Sequence, residues 1–334
     1  MKIRQAAIFA AKLALAVFVI AWLLHSRKVD TSRVWSSLRE AHLLPILAGI
    51  FLCLLTVGIA GWRWHRLLAA FGIAIPLRSL TCIAQIGQFF MMFMPGPTGD
   101  DLTRMLYISR LAKGRVGEAC ATVLLDRIIG LASVLVVALV CIPWQWHLLS
   151  ASPEAHRIAV GIVTAAVAVC AGGAVYFAMD GRQMQATVGW GLGLLPEGAI
   201  KNKLTRISGL LAVGRRAVAQ VVLAAIGTQL LLCVLFYLGG RAVGIETPLM
   251  AWASFVPIVL AANAVPITIA GLGVREYLLV LFLGVVGQVE GERALAASLV
   301  IFSMILTVCL LGGVTYIFYR PQRDAAVESN GKEL

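Results

Sequence analysis

Apolar runs of membrane-spanning length recur at 6–24, 43–62, 119–142, 157–179, 218–238 and 294–319. Crossing a bilayer core takes about 17–25 apolar residues in a helix. Within lipid a backbone must satisfy its own hydrogen bonds, which makes such runs helices. The chain is therefore predicted to be an all-α polytopic membrane protein with about six full spans. Its composition agrees, because only 13% of its residues are charged, against about 25% in soluble domains. No stretch between the runs is suited to a sizeable soluble domain; the longest, 180–216, mixes apolar and basic residues.

The N-terminal stretch resembles a secretory signal, with Lys2 and Arg4 ahead of an apolar run. That run ends Trp22-Leu23-Leu24-His25-Ser26-Arg27, without a small-residue cleavage site, so it is expected to stay as the first span. The net charge of +12 reads as basic loops against anionic headgroups rather than as a nucleic-acid surface. Seven scattered cysteines without a C-x-x-C pair read as small apolar packing residues. Neither H-E-x-x-H, G-x-S-x-G nor a Walker A motif occurs, so no metal, cofactor, nucleotide or enzymatic reaction is expected.

Lys and Arg favour cytoplasmic loops. Loop 143–156 carries neither Lys nor Arg, whereas 180–216 carries Arg182, Lys201, Lys203, Arg206, Arg215 and Arg216. The first is assigned outward, and the second inward together with 63–79, which holds Arg63, Arg66 and Arg78. Both termini are then cytoplasmic. Segment 25–42 faces outward and is expected to form an interfacial amphipathic helix through Val34, Trp35 and Leu38. Trp62, Trp64, Trp144 and Trp146 flank spans and are expected to be interface anchors.

One pattern occurs twice. Pro95 to Arg104 and Pro266 to Arg275 each set an Arg nine residues after a Pro, with Gly between, and a Gly-Glu pair follows each copy (Gly117-Glu118, Gly291-Glu292). In this topology 80–118 must enter and leave on the inner face, and 250–290 on the outer face. Both are predicted to be re-entrant hairpins, opposed across the membrane; the alternative is that 250–269 and 274–290 each cross fully. The chain then divides into repeats of inverted topology, 1–142 and 143–319, with a cytoplasmic tail at 320–334. Paired helix breaks in corresponding halves are a pointer to a substrate site.

Ionisable residues at membrane depth are functional candidates. Here they are Asp100, Asp101, Arg104, Asp126, Arg127, Arg275 and Glu276. Asp100 and Arg104 are spaced for one helix face, which suits either an intrahelical pair or an anion site at a helix N-terminus opening near Gly99. Gly271 and Gly273 permit a tight turn and close approach of a ligand. Arg275 falls in the first turn of the next helix, placed for a phosphate, beside Glu276. Asp126 is too short to reach the headgroups and needs a basic partner in the same half, whereas Arg127 has the length to snorkel. Gln85, Gln88 and Asn263 either line a cavity or tie helices together.

At these residues the chain resembles the flippase-like membrane domain of the lysylphosphatidylglycerol synthase transmembrane region family. Pro95 to Arg104 is similar to a P…G-[DE]-x-x-x-R motif, Asp126-Arg127 to an acidic-Arg pair in the following span, and Pro266 to Glu276 to P-x-T-P-G-G-L-G-x-x-E, with Ile269 and Ala270 replacing its P-G. The resemblance implies translocation of a lipid or lipid-linked headgroup between leaflets of the bacterial inner membrane. It also implies an anionic membrane lipid as partner and a lipid-biosynthesis enzyme nearby. A secondary transporter of a small anion, or a non-catalytic membrane subunit, are the competing expectations.

Overall fold

The computed structural model describes residues 31–92, 98–112, 114–147, 153–179, 215–264 and 273–320. Every regular element among them is helical: α1 (Thr31–Arg39), α2 (Leu43–Ala70), α3 (Leu77–Met91), α4 (Thr98–Leu111), α5 (Val116–Cys141) with a 3-10 turn at Ile142–Gln145, α6 (Pro153–Ala178), α7 (Arg215–Ala242), α8 (Leu249–Ala264), α9 (Val274–Val286) and α10 (Gly291–Phe318). Five of these segments are long and apolar enough to cross a membrane: Leu43–Ala70, Val116–Trp144, His156–Val175, Arg215–Ala242 and Gly291–Phe318. They coincide with five of the expected spans. The expected first span, 6–24, lies outside the described residues.

The two motif regions fold as short helix pairs. The arms α3, α4, α8 and α9 run 13 to 16 residues, or about 20–24 Å of helix, short of a 30 Å core. The α3–α4 pair opens at one end of the bundle. Ser79, near the start of α3, hydrogen-bonds the Tyr319 hydroxyl just past α10, and Tyr107, near the end of α4, packs on the same Tyr319 ring at 6.0 Å. Arg115, at the head of α5, donates to the Phe71 and Gly72 carbonyls beyond α2 at that same end.

The α8–α9 pair opens at the other end. Gly287, at the close of α9, lies against Thr247, which precedes α8. The His42 amide, just before α2, donates to the Ala242 carbonyl at the end of α7 at 2.8 Å. A cavity of about 500 Å³ brings His42 together with Gly244 and with Glu290 at the start of α10.

Three local expectations need correction. Helix α2 continues to Ala70, so 63–79 is not a loop, and Arg63 and Arg66 belong to the span. Trp64 is no interface anchor: it is fully buried, whereas Trp144 is 71% exposed. Helix α1 does form within 25–42, with Val34 buried and Leu38 packed on the core, but Trp35 turns outward beneath the Arg39 guanidinium. The cysteines behave as expected, Cys53, Cys233 and Cys309 being buried in the core and no disulfide joining any of the seven.

Candidate functional site

A first ionic cluster gathers from three helices. Asp100 and Arg104 lie one turn apart on α4, and Arg104 Nε donates to Asp100 Oδ1 at 2.8 Å. Arg104 Nη1 reaches Asp126 Oδ2 on α5 at 3.3 Å. Asp126 is itself gripped by Arg63 of α2, Nε to Oδ1 at 3.0 Å and Nη2 to Oδ2 at 3.1 Å. All four residues are buried, with at most 8% of their surface exposed. One isolated charge at this depth costs about 2.5–3.5 kcal/mol on insertion scales. Two cations against two anions leave the group neutral, and the forked geometry of Arg63 on a carboxylate is a strong form of the pairing.

The surroundings hold Arg104 in place. Its guanidinium lies 5.6 Å from the centroid of the Trp64 ring, and Trp64 is anchored by Nε1 donating to Thr122 Oγ1 at 3.0 Å. The hairpin arms approach closely because two positions lack side chains. A β-carbon at Gly87 would overlap the Asp100 carboxylate, and one at Gly99 would overlap the Phe90 carbonyl. Beside the cluster, Arg127 lies 3.9 Å from Asp101, both partly exposed.

The second cluster is more local. Arg275 donates to Glu276 Oε1 from Nη2 at 2.5 Å and from Nε at 3.2 Å. Glu276 Oε2 accepts the Gly273 amide at 2.5 Å, and Ser298 Oγ of α10 donates to Oε1 at 3.2 Å. Gly273 sits at φ +89°, a conformation that glycine adopts without strain. Arg275 stacks over Phe302 at 5.1 Å, and both charged residues are 2% exposed. The start of α9, read from the sequence as a phosphate seat, therefore already holds a carboxylate of its own chain.

The two motifs differ in register. Arg275 directly follows the first residue of α9, whereas Arg104 lies well inside α4. Asp100, Arg104 and Asp126 are brought together; Arg275 and Glu276 form the separate second group; Arg127 stands at the edge of the first. Gln85 ties helices, its Nε2 donating to the Val308 carbonyl of α10 at 2.7 Å. Gln88 and Asn263 are half-buried, and Asn263 Oδ1 has no hydrogen-bond partner among the described residues. Gly271, like Pro95 and Pro266 and the residues beside them, lies outside them.

Sequence reasoning missed Arg63 and Trp64. Counting Arg63 toward a cytoplasmic loop removed it from the candidates. The usable signal was Asp126, a mid-span carboxylate that requires a basic partner. A family model described as the lysylphosphatidylglycerol synthase TM region matches residues 9–313. No curated protein matches the chain.

Proposed function

The chain belongs to the lysylphosphatidylglycerol synthase TM region family, and from that premise we propose that this integral membrane protein is a flippase. It moves a lipid, or a lipid-linked headgroup, between leaflets. An anionic head docks at Arg104 from one side and at Arg275 from the other, and the two hairpins shift to alternate access. In this reading the protein resides in the bacterial inner membrane with both termini cytoplasmic. Its halves, 1–142 and 143–319, act as inverted repeats, it performs no chemistry itself, and it works beside an enzyme of lipid biosynthesis.

One observation carries the reading: two buried ionic clusters sit on broken-helix hairpins that open at opposite ends of one helical bundle. A fold stabilised by apolar packing alone has no use for charges at that depth. A second reading, a non-catalytic membrane subunit, is favoured by the internal pairing of both arginines, which suits a structural lock.

Reconstitution separates the two. Vesicles with a fluorescent anionic phospholipid should lose protection of their inner-leaflet label faster when the protein is present, and Arg104→Ala and Arg275→Ala should abolish that gain. Wild-type rates in both variants would remove the docking roles and leave the subunit reading.

A further inference from the structure

We propose that Arg63 is a positioning residue that sets how strongly Arg104 holds an anionic head; the inference rests on the docking role given to Arg104 above. Arg104 contacts two carboxylates, and they are held unequally. Asp100 is one turn away on the same helix at 2.8 Å, while Asp126 lies on another helix and takes a single longer contact of 3.3 Å. An incoming phosphate competes with Asp126 for Nη1 of Arg104.

What happens to Asp126 then decides the cost. Arg63 grips both its oxygens at 3.0 and 3.1 Å. A carboxylate that gives up Arg104 therefore remains charged and paired, and no buried anion is stranded. Arg63 stands on α2, a spanning helix packed along α7, while Arg104 stands on the short arm α4. A shift of that arm leaves the Arg63–Asp126 pair intact.

Without Arg63, Asp126 keeps Arg104 as the buried cation it touches and opposes the phosphate at the same guanidinium. Arg63 thus acts without touching the substrate: it keeps a competing carboxylate occupied.

The test titrates a fluorescent phosphatidylglycerol probe in phosphatidylcholine vesicles carrying the full-length protein, at one neutral pH. Arg63→Gln should raise the probe fraction for half-maximal flipping about tenfold or more, since close buried charge pairs are strongly coupled, and the maximal rate should fall by less. The pair Arg63→Gln with Asp126→Asn removes both the grip and the competitor, and should return half-saturation close to wild type. Arg63→Lys keeps the charge without the fork, so it should shift half-saturation only a few fold; it is read wherever Arg63→Gln does not fold. An unchanged half-saturation in Arg63→Gln, a double variant as weak as the single, or a loss confined to the maximal rate in Arg63→Lys would overturn the proposal. Arg104→Ala separates the two levels. If it flips as wild type, the docking role itself falls; if it is inactive while the Arg63 series is flat, only the role of Arg63 falls.

Discussion

Gly87 on α3 faces the carboxylate of Asp100 on α4 with no room for a β-carbon between them. The contact joins packing to electrostatics, because the same carboxylate receives Arg104. A side chain at 87 must either spread the hairpin arms or push Asp100 off its partner.

Gly87→Ala should accordingly cost about 1–3 kcal/mol, the range for overpacking a filled interior. Gly58 on α2 is the control, since nothing lies within 4 Å of a β-carbon there. Gly58→Ala should be neutral or stabilise by about 0.5–1 kcal/mol, as helical glycine gives way to alanine. Thermal unfolding of the purified proteins in detergent checks the order, and equal midpoints would contradict it.

Removing Asp126 should be severe. Asp126→Leu leaves Arg63 and Arg104 buried with only Asp100 between them, a loss of about 3–5 kcal/mol by analogy with broken buried pairs. Adding Arg63→Met to Asp126→Leu should recover most of it, because the remaining Asp100–Arg104 pair is balanced. The yield of monodisperse protein in size-exclusion chromatography, with its unfolding midpoint, reads the difference.

Glu276 has two duties that substitutions can separate. It neutralises Arg275 and it accepts the Gly273 amide that opens α9. Glu276→Gln keeps an acceptor for the amide and loses the charge; Glu276→Ala loses both. The alanine variant should be the less stable by about 1 kcal/mol, the net worth of a hydrogen bond, as measured by midpoint. A reversed order would mean that the amide contact contributes nothing.

Topology can be checked directly. In a background free of the seven native cysteines, single cysteines at 109, near the end of α4, and at 288, just beyond α9, should label from opposite faces of the membrane in intact cells. Labelling of both from one face would refute opposed hairpins.

Much of this architecture was legible in the chain because lipid leaves few options. Apolar length alone placed five described spans, and the Pro-Gly breaks marked both short helix pairs. The Asp100–Arg104 pair followed from helical spacing. Asp126 signalled a basic partner but not which one, because Arg63 is distant from it in sequence. The Trp-Arg-Trp-His-Arg stretch at 62–66 reads locally as a membrane border. Gly87 was equally silent, since what it permits is set by α4. The competition of Glu276 for the start of α9 shows the limit of motif reading: residue types suited to a phosphate are equally suited to each other.

Helix α10 runs past both groups. Ser298 hydrogen-bonds Glu276, and further along Val308 receives Gln85 from the arm that sets Gly87 against Asp100. From Ser298 to Val308 the helix rises about 15 Å, half the thickness of a 30 Å hydrocarbon layer. In the proposed flipping cycle, a polar cargo handed between the two arginines would travel only the middle portion of the barrier, which narrows as well as lowers the energetic hill.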